Sequence, residues 1–212
     1  MKFINKISNE NLDILKEIGN IGAGNAATSL SILLNKRIQL RVPNVRIMTF
    51  NEMVETAGGA ENVVASVFLR IEGDAPSNLF FILSIKQANT YIQHLIGNNQ
   101  SPFEKSPYDD LALSALQELG NILAGSYLSA LSDFTGLNLY PSVPATSIDM
   151  LGAILSYGFF ELSQFSDYAI VVDTALIDCN ENHMGVDGHF FLLPDPESFD
   201  IIFHSLGVAL DE

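Results

Sequence analysis

Cysteine is nearly absent. The 212 residues hold one, Cys179, so no internal disulfide can form and a reducing cytoplasm is the expected setting. Cations are scarce too: ten Lys and Arg stand against 25 Asp and Glu, a formal charge of −15. That shortage argues against nucleic acid, whose phosphates need a basic patch to replace their counterions, and against anionic membrane surfaces. Solubility, or steering of a partner with a basic face, remains. No apolar run approaches the ~20 residues of a membrane-spanning helix. Met1-Lys-Phe-Ile-Asn-Lys6 has no long apolar segment with a cleavage site, so secretion is not expected. P-loop, G-x-S-x-G and H-E-x-x-H motifs are all missing. With 48% hydrophobic and 17% charged residues, the chain reads as globular and not disordered.

What the chain does have is a constellation that occurs twice. Asp13, Glu17, Asn20 and Pro43 are spaced D-x3-E-x2-N-x22-P, and Ser114, Glu118, Asn121 and Pro144 follow as S-x3-E-x2-N-x22-P, each 101 positions on. An identical interval after each Asn marks an internal duplication. Phe80-Phe81-Ile82-Leu83 is answered by Phe190-Phe191-Leu192-Leu193, and Tyr91–Gly97 by Ile201–Gly207, now 110 apart. The second half therefore carries about nine extra residues, assigned to the polar stretch Asp178–His189. Asn98–Pro107, rich in turn formers, joins the halves.

Both halves read in one order. A long helix (Asn9–Leu34; Pro107–Phe134) is capped by Ser8 in the first half and by Ser106-Pro107 in the second. A strand (Ile38–Val42; Leu137–Tyr140) and a short helix (Asn51–Ala57; Ser147–Leu155) follow. Two strands (Asn62–Ile71 with Leu79–Ser84; Tyr168–Ile177 with Gly188–Leu193) and a closing helix (Ile85–Ile96; Pro196–Leu206) complete the unit. The expected fold is α+β, a β-sheet packed with the long motif-bearing helices. Repeats of about 8–97 and 107–207, joined by a short linker, form a single domain over 1–212 with pseudo-twofold symmetry.

At about 100° per residue, Asp13, Glu17, Asn20 and Gly24 share one stripe of the first helix, while Leu12, Leu15, Gly19 and Gly22 face the core. Ser114, Glu118, Asn121 and Gly125, with Leu113, Leu116, Gly120 and Leu123 behind, repeat the division. A merely solvated face explains one copy adequately. Two copies are harder to explain so, because Asn competes for backbone hydrogen bonds and is a mediocre helix former, and such local conflicts gather at functional sites. An amide can orient an attacking water without changing protonation, as the Gln of GTPases does. A carboxylate can pair with a partner's cation, and a glycine lets a partner's backbone approach.

The pattern [DS]-x3-E-x2-N-x22-P resembles the signature of the CheC/CheX/FliY family of chemotaxis phosphatases, over essentially the whole chain. The duplicated arrangement, with no added domain, looks most like the two-site CheC type. The resemblance implies a CheC-like fold and a hydrolase acting on the phospho-aspartate of a CheY-type response regulator in bacterial or archaeal two-component signalling. It implies that Asn20 and Asn121 orient the hydrolytic water and that Glu17 and Glu118 dock on a receiver lysine. Asp13 and Ser114 would support the helix face, and Pro43 and Pro144 would shape the following strand. No cofactor or metal is implied on this chain, since Mg2+ belongs to the regulator. The receptor deamidase CheD is a second implied partner, with Thr146–Met150 expected to carry part of that surface and Asp149 to contribute, against a capping or solvated Asp. The alternative from another class is a binding module that sequesters phospho-CheY or regulates CheD without turnover. A third reading, an unrelated acidic interaction protein, would gain if either Asn were bonded within the core. Asp13 against Ser114 leaves equal activity of the two sites in doubt.

Other signals are set aside. Gly22-Ala-Gly24-Asn-Ala-Ala27 matches a dinucleotide fingerprint but lies within a helical pattern, where packing explains it better. Asp178-x-Asn180-x-Asn182 begins like a calcium loop, yet His183 and His189 occupy the required Gly and Glu positions. Cys179, His183, Asp187 and His189 lack standard metal spacing, so a polar loop is preferred. His94 and His204 read as packing or surface residues.

Overall fold

The computed structural model describes residues 7–35, 37–97, 101–162, 168–178 and 185–208. In chain order its elements are α1 (Asn9–Leu34), β1 (Ile38–Arg41), β2 (Val45–Thr49), α2 (Phe50–Thr56), β3 (Val63–Gly73), β4 (Ser77–Ser84), α3 (Ile85–Ile96), α4 (Asp110–Thr135), β5 (Leu139–Pro141), β6 (Ala145–Met150), α5 (Leu151–Leu162), β7 (Tyr168–Asp178), β8 (Gly185–Pro194) and α6 (Pro196–Ser205). The start of α1 is the expected one: the Ser8 side chain accepts from the Asn11 N–H, and the Asn11 side chain accepts from the Ser8 N–H. The start of α4 is corrected. Its cap is Asp109, whose carboxylate accepts from the Leu111 N–H at 2.9 Å, and Ser106-Pro107 lies ahead of the helix. A carboxylate at the cap also complements the helix dipole.

Two strands were not foreseen. β2 pairs with β7 and β6 with β3, so the second short helix begins at Leu151 and not at Ser147. Edge pairing along Val63–Phe68 decides the conformation of Ala145–Met150 in favour of a strand. β8 starts at Gly185, which makes Asp187 and His189 strand residues; Cys179 and His183 lie outside the described residues.

All strands form one antiparallel sheet in the order β1-β7-β8-β4-β3-β5, with β2 also on β7 and β6 on β3. The first two strands of each repeat therefore pair with the third strand of the other. One row across the sheet reads Val45, Val172, Phe190, Phe81, Val67, Thr146. Its two halves are equivalent, and the pseudo-twofold axis passes between Phe190 and Phe81, whose rings stack with centroids 4.6 Å apart. Phe81 opposite Phe190 makes the strand offset 109, whereas Gly97 and Gly207, both left-handed at the ends of α3 and α6, keep the offset of 110. The uniform 110 read from the residues is thus corrected. A one-residue slip would exchange the two faces of the strand, which the core forbids.

Helices α1, α3, α4 and α6 cover one face of the sheet, and α2 and α5 cover the other. The long helices meet at Gly22, where an added Cβ would lie 2.8 Å from the Tyr127 Cα, so the glycine pattern serves helix packing. Gly22→Ala is expected to cost about 1–3 kcal/mol, read as a shift of the urea midpoint, because backbone must move to relieve the overlap. Among the described residues, no helix is long and apolar enough to cross a membrane.

Candidate functional site

Helical period places the motif residues of both helices on the expected stripe, with Asn20 turned to the backbone of Val42 as the exception. Asp13, Glu17 and Gly24 are exposed on α1 over buried Leu15, Gly19 and Gly22, with Leu12 half-buried. Ser114, Glu118 and Asn121 are exposed on α4 over buried Leu116, Gly120 and Leu123, with Leu113 and Gly125 half-buried. A Cβ built on Gly24 or Gly125 would meet nothing within 4 Å, so each face carries an open backbone patch one turn beyond its Asn.

The two asparagines differ. Asn20 is half-buried; its Nδ2 donates to the Lys16 carbonyl at 3.0 Å and the Val42 carbonyl at 3.3 Å, and its Oδ1 accepts from the Val42 N–H at 2.9 Å. The carboxamide thus ties α1 to the chain just before Pro43. Asn121 is exposed and makes no hydrogen bond among the described residues. In its copy Gln117 takes the backbone role, donating from Nε2 to the Pro144 carbonyl at 2.9 Å. Val42 is 1% exposed, packed over Gly19, whereas its counterpart Val143 is 83% exposed. Pro43 is exposed and Pro144 half-buried. Sequence reasoning missed Lys16 and Gln117; the signal was that these equivalent positions differ inside a repeated stretch. Because Asn20 satisfies Val42 and Asn121 satisfies nothing described, Asn20→Ala should lose about 1–2 kcal/mol of stability. Asn121→Ala should stay within about 0.5 kcal/mol of the native chain in the same urea titration.

Asp149 stands apart from the motif helices, on the α5 side of the sheet. It is exposed, and its Oδ1 accepts from the Met150 N–H at 2.7 Å. With Ser66, Phe68, Phe80, Thr146 and Ile154 it lines a cleft of about 330 Å³. His204 is exposed; the His94 side chain lies outside what the structure describes.

A charged cluster sits on β2, β7 and β8. Arg46 donates to both Asp173 oxygens at 2.8 and 2.9 Å, and His189 Nδ1 lies 2.9 Å from Asp173 Oδ1. Burial alone would raise the Asp173 carboxyl pKa, but the His189 hydrogen bond and the Arg46 charge outweigh it and hold the group below its ordinary value. A carboxylate depressed on folding stabilises above its unfolded pKa, and the gain is lost as pH falls through the folded one. Asp173→Asn should therefore lower the urea midpoint at pH 7, with the deficit shrinking as pH falls below about 3.9. No group of three or more metal-ligating side chains occurs among the described residues.

A model of the CheC-like family matches residues 10–47 and again 111–148, one match on each motif helix and its strand. The CheY-P phosphatase CheC of Bacillus subtilis is 49% identical over 210 residues, covering 99% of this chain and 100% of that protein. The chain belongs to the CheC-like family. The CheC-like fold extends to solved structures. FliY of Thermotoga maritima superposes with a TM-score of 0.70 at 21% identity, covering 95% of this chain and 98% of FliY. A chain of the CheX-CheY-BeF3-Mg2+ complex from Borrelia burgdorferi does so at 0.50 with 15% identity, covering 82% and 96%. The third reading, an unrelated acidic protein, is thereby removed; Asn20 bonds to the strand end beneath its helix while the rest of its stripe stays exposed.

Proposed function

We propose that this CheC-like chain is a chemotaxis phosphatase that hydrolyses the phospho-aspartate of a CheY-type response regulator, with one site on each motif helix. The observation that carries the reading is a Glu and an Asn on one stripe of both α1 and α4, with Glu17, Glu118 and Asn121 exposed, in a chain 49% identical to a CheY-P phosphatase. Phospho-aspartate is an acyl phosphate. A water oxygen attacks phosphorus, the bond from phosphorus to the aspartate oxygen breaks, and carboxylate and inorganic phosphate leave. Charge stabilisation would come from the regulator, whose Mg2+, when bound there, would offset the negative charge of the phosphoryl group. This chain contributes position. Asn20 and Asn121 hold the attacking water in line, while Glu17 and Glu118 pair with a receiver lysine and fix the register. Asp13, Ser114, Pro43 and Pro144 support the helix face and the strand behind it.

Interlacing of the repeats through β7 and β3 supports treating 1–212 as one domain in which residues 8–97 and 107–207 act together. A second partner, the deamidase CheD, is assigned to the α5 side through Asp149, away from the motif faces. The acidic charge and the lone cysteine favour the cytoplasm. For the site roles, Glu17→Ala/Glu118→Ala should raise the KM for phosphorylated receiver about fivefold, with kcat little changed, since an exposed ion pair is worth up to about 1 kcal/mol. A native chain that leaves the decay of the phosphorylated receiver unaccelerated would refute the proposal.

A further inference from the structure

The two motif faces read Asp13-Ile-Leu-Lys16-Glu17-Ile-Gly-Asn20 and Ser114-Ala-Leu-Gln117-Glu118-Leu-Gly-Asn121. One turn before each Asn the copies diverge, and the backbone behind them diverges with it. Over α1 the strand end is docked: Val42 is buried, and an added Cβ on Gly19 would lie 3.1 Å from Val42 Cγ2. Over α4 the corresponding glycine, Gly120, faces Val67 of β3, where an added Cβ would lie 2.6 Å from Val67 Cγ1, and Val143 stands off at 83% exposure. Asn20 holds the docked strand end by both backbone groups of Val42. Gln117 holds the second strand end by the Pro144 carbonyl, and Asn121 has no such task.

We infer that Gln117 is a positioning residue: it anchors the strand end of the second copy so that Asn121 stays free to meet water, whereas Lys16 leaves that anchoring to Asn20, which is held back. A lysine ammonium is a strongly hydrated point charge and turns to solvent more readily than a half-buried amide. Asn20 has to break its hydrogen bonds to Val42 before its carboxamide can orient anything, so the first site starts from a closed state and the second from an open one. The inference rests on the water-orienting role of the two asparagines and adds which site is ready and which residue makes it so.

The test follows the side-chain amide protons of Asn20 and Asn121 by NMR hydrogen exchange in the full chain, beside steady-state hydrolysis of a phosphorylated receiver. In the native chain the Asn20 amide should exchange about tenfold more slowly than that of Asn121, as befits two hydrogen bonds to be opened first. Lys16→Gln should speed Asn20 exchange and, in an Asn121→Ala background, raise kcat about fivefold with KM unchanged. Gln117→Leu should slow Asn121 exchange and, in an Asn20→Ala background, lower kcat by a similar factor. Equal exchange of the two amides in the native chain overturns the inference, as do variants that change neither exchange nor kcat. If hydrolysis is never stimulated, the phosphatase reading falls, and the exchange rates still decide the positioning claim.

Discussion

Asn20→Ala combined with Asn121→Ala is expected to abolish stimulated hydrolysis, lowering kcat at least about 100-fold while KM stays within about twofold, because a misplaced water forfeits near-attack geometry and little binding. The single variants should be unequal. Asn121→Ala removes the carboxamide that is already free, so most activity goes with it. Asn20→Ala removes one that is engaged with Val42, so its loss of stability should exceed its loss of activity. Steady-state kinetics on the two singles and the double, with urea titrations of each, check both halves of this expectation. A double variant that hydrolyses at the native rate would remove the asparagines from the mechanism.

Phe81→Ala should have the largest effect on the fold. Phe81 is 1% exposed, stacks on Phe190 at the pseudo-twofold axis, and pairs with strands of both repeats. Tyr127 of α4 meets Phe190 edge-on at 5.0 Å, so the same cluster also seats a motif helix. Truncation there is expected to cost about 3–5 kcal/mol, a large share of the ~5–15 kcal/mol available to a domain. Because the axis joins the repeats, they should unfold together, giving one urea transition by circular dichroism and by tyrosine fluorescence. Separate transitions would show that the repeats are independent units.

The motif was legible in the sequence because duplication supplies its own alignment. Glu17 and Asn20 acquired meaning from Glu118 and Asn121 at the same spacing, and helical period then placed all four away from the core. The long helices and central strands were legible for the same reason, being long and strongly patterned. β2 and β6 were not, since each is short and takes its conformation from a strand of the other repeat. The strand offset failed by one residue because four apolar residues in a row match equally well in either register, and only pairing of Phe81 with Phe190 settles the faces. The difference between Asn20 and Asn121 was invisible in the motif itself. It depends on where the backbone lands 22 residues later, at Val42 in one copy and at Val143 in the other.

Phosphate release with phosphorylated receiver in large molar excess over the native chain separates turnover from binding. A phosphatase gives a linear time course that passes well beyond two equivalents of phosphate per chain, and the double Asn variant stays at background. A burst that stops at or below two equivalents, with receiver left bound and phosphorylated, would contradict turnover and make the chain a binder.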